Sequence, residues 1–170
     1  MVFIISCGCN ETLTVFTLNE QDKDLVPYKL NDALKWTDNN ETVYNGIVNE
    51  IKDRYSEREK DCNTVKFNEL IHNIQFDDFK YTIILDKRSN NLADLIINAY
   101  VGDEKKSFIK RSITLDDFTT TEFNGETYEN AVLIKQSVLD DMPFGHLVYS
   151  KTNGIEFILF EDGTWYKRVE

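Results

Sequence analysis

Three kinds of side chain in this 170-residue sequence could act chemically on another molecule: paired acids, histidines and cysteines. Adjacent carboxylates occur at Asp77-Asp78, Asp116-Asp117 and Asp140-Asp141. Acid–base catalysis needs two groups with separated pKa values that converge on one substrate. Neighbours along a strand point to opposite faces, so an adjacent pair is poorly placed to converge. Each pair therefore reads as a solvated turn. The turn aspartates also lack the loop spacing of a calcium site. His72 and His146 stand alone, with no nucleophile signature, phosphate-cradling glycine loop or paired metal-binding histidines near them. No catalytic residue, metal or cofactor is expected, and the sequence gives no positive reason to propose an enzyme.

The cysteines say more. The chain opens MVFIISCGCNETLT, and Ile4-Ile5-Ser6-Cys7 has the order of a bacterial lipobox. A small residue precedes the cut, and the thiol that will carry diacylglycerol follows it. On this reading residues 1–6 are the end of a signal peptide and Cys7 is the lipidated first residue. Residues 7–24 form a leader, and 25–170 a single domain. An export signal also has a basic start and a longer apolar core, whereas the first basic residue here is Lys23. The other reading makes Val2–Ser6 a buried first strand with ordinary thiols. If Cys7 is acylated, Cys9 and Cys62 remain as a pair able to form a disulfide in an oxidising envelope, or as two free thiols. A metal site from these cysteines and His72 lacks the paired spacing of structural zinc.

The scaffold holding these residues is legible mainly as strand. One domain fits the length, and the apolar content of 41% suffices for a core. Abundant Ile, Val, Thr, Tyr and Phe favour strands. The expected fold is mainly β: an antiparallel sheet, roll or sandwich-like meander with one or two short helices at most. Asn124-Gly125, Asn153-Gly154 and Asp162-Gly163 mark turns. They predict strands at 146–149, 155–160 and 164–168. Phe79–Leu85 and Leu95–Val101 read as further strands, and Glu20–Leu25 as a single helical turn ahead of Pro27. Residues 41–54 stay open. Val43, Ile47, Ile51 and Tyr55 recur every fourth position, as on a helix face, while a strand would need a bulge or turn at Asn45-Gly46.

Four of these pieces carry a resemblance. The lipobox, Leu18–Tyr28 (LNEQDKDLVPY), Phe123–Asn130 (FNGETYEN) and Val148–Tyr166 (VYSKTNGIEFILFEDGTWY) together look like a group of small envelope lipoproteins of Gram-negative bacteria. The resemblance implies an acylated, exported, mainly β protein and no particular reaction. It tilts residues 41–54 toward strand, although Asn40 stands where the matching proteins carry a glycine.

Two surfaces are candidates for binding. Met142 and Phe144, in the loop-like DDMPFG, either dock a partner or fold back on the sheet. Tyr149 and Trp165 either line a ligand groove or pack within the sheet. The formal charge of −11 argues against nucleic acid, which is bound by clustered basic residues. The expected function is a non-enzymatic binding or accessory module of the cell envelope, attached to the membrane through covalent lipid only. The alternative is a cytosolic acidic interaction protein of the immunity type, steered by charge onto a basic partner protein.

Overall fold

A computed structural model describes residues 12–60, 63–89, 92–136 and 145–169. The protein is mainly β, as the composition predicts. Among the described residues the twelve strands are β1 (Thr12–Phe16), β2 (Ala33–Asp38), β3 (Val43–Lys60), β4 (Asn63–Phe76), β5 (Phe79–Asp86), β6 (Ala93–Val101), β7 (Glu104–Ile113), β8 (Thr119–Phe123), β9 (Glu126–Lys135), β10 (His146–Ser150), β11 (Gly154–Leu159) and β12 (Trp165–Val169). The only helical pieces among the described residues are one turn, α1 (Glu20–Lys23), and a 3-10 turn at Leu115–Asp117.

Eleven strands form one antiparallel sheet in the order β7-β6-β5-β4-β3-β2-β12-β11-β10-β9-β8. It curls into a half-barrel until its margins meet. Phe108 of β7 bridges Gln136 just beyond β9. On either side of that bridge Lys106 pairs with Glu161, and Lys110 lies 2.5 Å from Asp117. Among the described residues the seam is thus closed by these two ion pairs and this one bridge in place of a full ladder.

The inner face is filled by aromatic rings. Trp36 lies 5.2 Å from Tyr81, Phe76 stacks on Phe79 at 4.5 Å, and Phe79 meets Tyr166 at 4.7 Å. Close packing is tight enough to dictate glycine at position 46, where a Cβ would meet the Phe76 ring at 2.4 Å. Asn45-Gly46 is therefore strand interior. The register irregularity that β3 does contain lies between Val48 and Glu50.

Residues 12–24, expected as a leader, are part of the fold. β1 pairs in parallel with β4, Thr12 opposite Asn63 through Phe16 opposite Phe67. Leu18, Leu25, Val26 and Tyr28 are buried in the main core. The α1 turn between them is capped by Asn19, which accepts from the Asp22 backbone N–H while Asp22 accepts from that of Asn19. The Lys87 ammonium lies 2.5 Å from the same Asp22 carboxylate, in a nearly buried ion pair. The Tyr149 hydroxyl donates to the Leu25 carbonyl, and the Tyr28 hydroxyl accepts from the Ile155 N–H. Residues 18–28 thereby plug the open side of the curl. The plug also accounts for Gly154, whose φ of +76° favours glycine and whose Cβ would strike the Tyr28 ring at 2.3 Å.

Candidate functional site

The structure separates the two aromatic residues that the sequence groups as a groove. Tyr149 and Trp165 lie on opposite faces of the sheet. Tyr149 is wholly buried in the main core, and its burial beside Tyr28 drives the phenol pKa well up. It is a core residue. Trp165 is partly exposed on the outer face, stacked on Phe157 at 5.5 Å. Phe123 packs edge-on to the same Phe157 at 5.6 Å and lies 5.4 Å from His146. Phe123, Phe157 and Trp165 make a second, smaller cluster with Tyr128 and Val148. The β8–β9 hairpin covers part of it, held by Glu126 at 2.6 Å from Lys167 of β12. Trp165 and His146, both partly exposed, remain at its margin.

A different cleft, which the sequence does not signal, opens at the seam. It has a volume of about 530 Å³ and lies between the β6–β7 turn and the β11–β12 turn, against Phe160 and Tyr166. Lys106 enters it between Glu161 and Glu104. The hydrogen bond to Glu161, then that to Glu104, raises the ammonium pKa, and Lys106 in turn holds the Glu161 carboxyl low. A lysine acting as base or nucleophile needs a lowered pKa. Lys106 has the reverse, so it works as an electrostatic clasp for the seam.

The histidines and acid pairs follow structural roles. His72 is buried in the inner face, and burial lowers its pKa against the opposing effect of a hydrogen bond to the Tyr28 backbone. Its Nδ1 has no hydrogen-bond partner. His146 is also lowered, by burial and by Lys135. Asp77-Asp78 form the β4–β5 turn. Asp117 accepts from the Thr114 N–H at 2.8 Å and belongs to the 3-10 turn. Sequence reasoning missed two buried acids. Asp38 ties the β2–β3 turn by accepting from the Asn40 and Thr42 N–H groups. Burial opposes its charge, but these donors and Tyr44 outweigh it, leaving the carboxyl below its usual value. Asp86 pairs with Arg88, and burial pushes its pKa up.

Cys7, Cys9, Cys62, Met142 and Phe144, and the Asp140-Asp141 pair, lie outside the described residues. Gln136 and Gly145, the described residues on either side of 137–144, are joined through the Gln136 N–H to the Gly145 carbonyl and the Gly145 N–H to the Gln136 side chain. Among the described residues no group of three or more His, Cys, Asp or Glu side chains is placed to hold a metal ion. No protein-family model, curated protein or solved structure matches the chain.

Proposed function

We propose that this protein is an envelope lipoprotein, anchored through acyl groups on Cys7, that works as a non-enzymatic binding or accessory module. The observation that carries this reading is the lipobox order Ile4-Ile5-Ser6-Cys7 standing five residues ahead of Thr12, where the described fold begins. That interval is short, so the acylated cysteine and the β-domain would be close neighbours. The diacylglyceryl thiol together with an amide-linked chain supplies the multiple acyl groups that stable anchoring requires.

The filled interior supports a module that recognises partners with its outside. Trp36, Tyr81, Phe76 and Tyr149 occupy the space that a ligand-carrying barrel would leave open. Recognition would then fall to outer features such as the margin around Trp165 and the seam cleft. The lysine in that cleft is neutralised by its neighbours, which fits holding better than reacting.

Mass spectrometry of the protein from its native host tests the anchor. The expected N-terminal peptide begins at Cys7 and carries acyl chains, and Cys7→Ala moves the protein from the membrane to the soluble fraction. An unmodified peptide that retains Met1 or Val2 overturns the anchor. It would favour the acidic interaction protein in its place.

A further inference from the structure

We propose that the outer part of the β1–β4–β3 ribbon lies flat on the lipid surface, with the face bearing Leu13, Val15 and Tyr55 turned to the headgroups. This rests on acylation of Cys7. The face is fixed by register. Leu13 sits opposite Thr64, Val15 opposite Lys66, and Asn68 opposite Tyr55. Side chains of directly paired residues share a face, so these residues continue the side of β4 that carries Leu70, His72 and Ile74 into the core. Inside the barrel that side is covered by rings and by the 18–28 plug. Beyond Asn68 the cover ends, and Leu13, Val15 and Tyr55 are 61%, 50% and 49% exposed.

Chain length and charge single out lipid as the occupant. A backbone extends at most about 3.6 Å per residue, so the five steps from Cys7 to Thr12 span no more than about 18 Å. An acyl anchor at Cys7 therefore holds β1 within that distance of the headgroups. The rest of the molecule suits such proximity badly, because its −11 charge is repelled by anionic lipid. The ribbon is different. Between Lys52 and Glu69 five basic residues offset five acidic ones, and β1 has no charge. On the proposed contact face the Lys66 ammonium and Glu57 carboxylate pair at 2.6 Å, and Glu59, opposite Thr64, adds one further negative charge, while Arg54 and Arg58 alternate onto the other face.

The depth of contact follows from hydrogen bonding. Among the described residues β1 pairs only with β4, so the backbone groups of its other edge need water. The ribbon therefore rests at headgroup level and does not enter the hydrocarbon. A tyrosine suits that depth, and the Tyr55 hydroxyl lies 2.9 Å from that of Thr17.

The test uses the full acylated protein from its host in phosphatidylethanolamine–phosphatidylglycerol vesicles whose lipids are brominated near the headgroup end of the chains. Tyr55→Trp reports on the ribbon, and Val15→Trp repeats the measurement should that variant fold poorly. Leu115→Trp, at an exposed position of the 3-10 turn, is the control. After subtraction of the Trp36 and Trp165 signal, bromination should quench the ribbon emission at least about twofold more than the control. Equal quenching in protein whose Cys7 is acylated overturns the contact and leaves the anchor standing. Absence of acyl groups on Cys7 overturns both. A dimer whose ribbon tryptophan stays unquenched on vesicles also overturns the contact, and gives the open β1 edge to a second copy.

Discussion

Strands β3 and β4 run through the barrel and out into the ribbon, so one antiparallel hairpin can be compared in two settings. The pairing is nearly continuous, from Gly46 opposite Phe76 to Lys60 opposite Asn63. In the barrel, alternate residues of β4 meet a second layer. Phe76 is stacked by Phe79 and edged by Trp36, while Ile74 and His72 are buried. In the ribbon the cover thins: the inward side chains change from Ile and Leu to Asn68, which is still buried, and then to the half-buried Lys66 and Thr64. Hydrogen bonding is common to both halves; a covering layer is not. Burial of apolar area is the dominant favourable contribution to folding, so stability should reside in the barrel half and leave the ribbon free to meet another surface.

The largest expected break in that pattern comes from the barrel. Trp36 is fully buried between Phe76 and Tyr81, and Trp36→Ala should lower stability by about 3–5 kcal/mol. Urea unfolding followed by circular dichroism reads this directly. Gly46→Ala forces a methyl against the Phe76 ring and should cost about 1–3 kcal/mol, read as a lower midpoint in the same unfolding experiment.

Acid sharpens the contrast less strongly. His72 has a folded pKa below its ordinary value of 6.5, chiefly because burial disfavours the imidazolium. The unfolded chain therefore binds a proton more readily. Stability is complete above pH 6.5 and declines as pH falls from there toward the depressed folded value. His72→Gln should flatten most of that slope, leaving the part contributed by His146, which is lowered in the same direction. A slope unchanged in the variant would place the proton-sensitive group elsewhere.

Smallest of all should be the ribbon. Leu13→Ser removes an apolar side chain already 61% exposed, and the unfolding free energy should change by no more than about 0.5 kcal/mol. A loss as large as that of Gly46→Ala would mean that the ribbon is covered in the free protein.

The sequence carried the strands of the barrel better than it carried the ribbon, for physical reasons. Turn signals are local, so Asn153-Gly154 and Asp162-Gly163 placed the last three strands within a residue or two of β10, β11 and β12. The open question over residues 41–54 resolves as part of an 18-residue strand. Its four-residue apolar spacing mimics a helix because the irregularity between Val48 and Glu50 resets the alternation. Val43 and Ile47 consequently face solvent, while Val48 is buried. Residues 12–24 look like a polar leader because the contacts that fold them are remote. β1 finds β4 some fifty positions away, and Asp22 finds Lys87. For the candidate sites, the sequence identified Trp165 as notable but joined it to Tyr149, since alternation near the irregularity at Val148/Tyr149 does not show which face each occupies. The Lys106–Glu161 clasp was invisible, because nothing local marks a seam closed by residues 55 positions apart.

Hydrogen exchange on the acylated protein, compared with and without vesicles, tests the account most directly. The account predicts added protection confined to residues 12–16 and 52–60, against barrel strands that stay slow in both conditions. Protection that instead gathers around Trp165, or no change anywhere on vesicle binding, would contradict it.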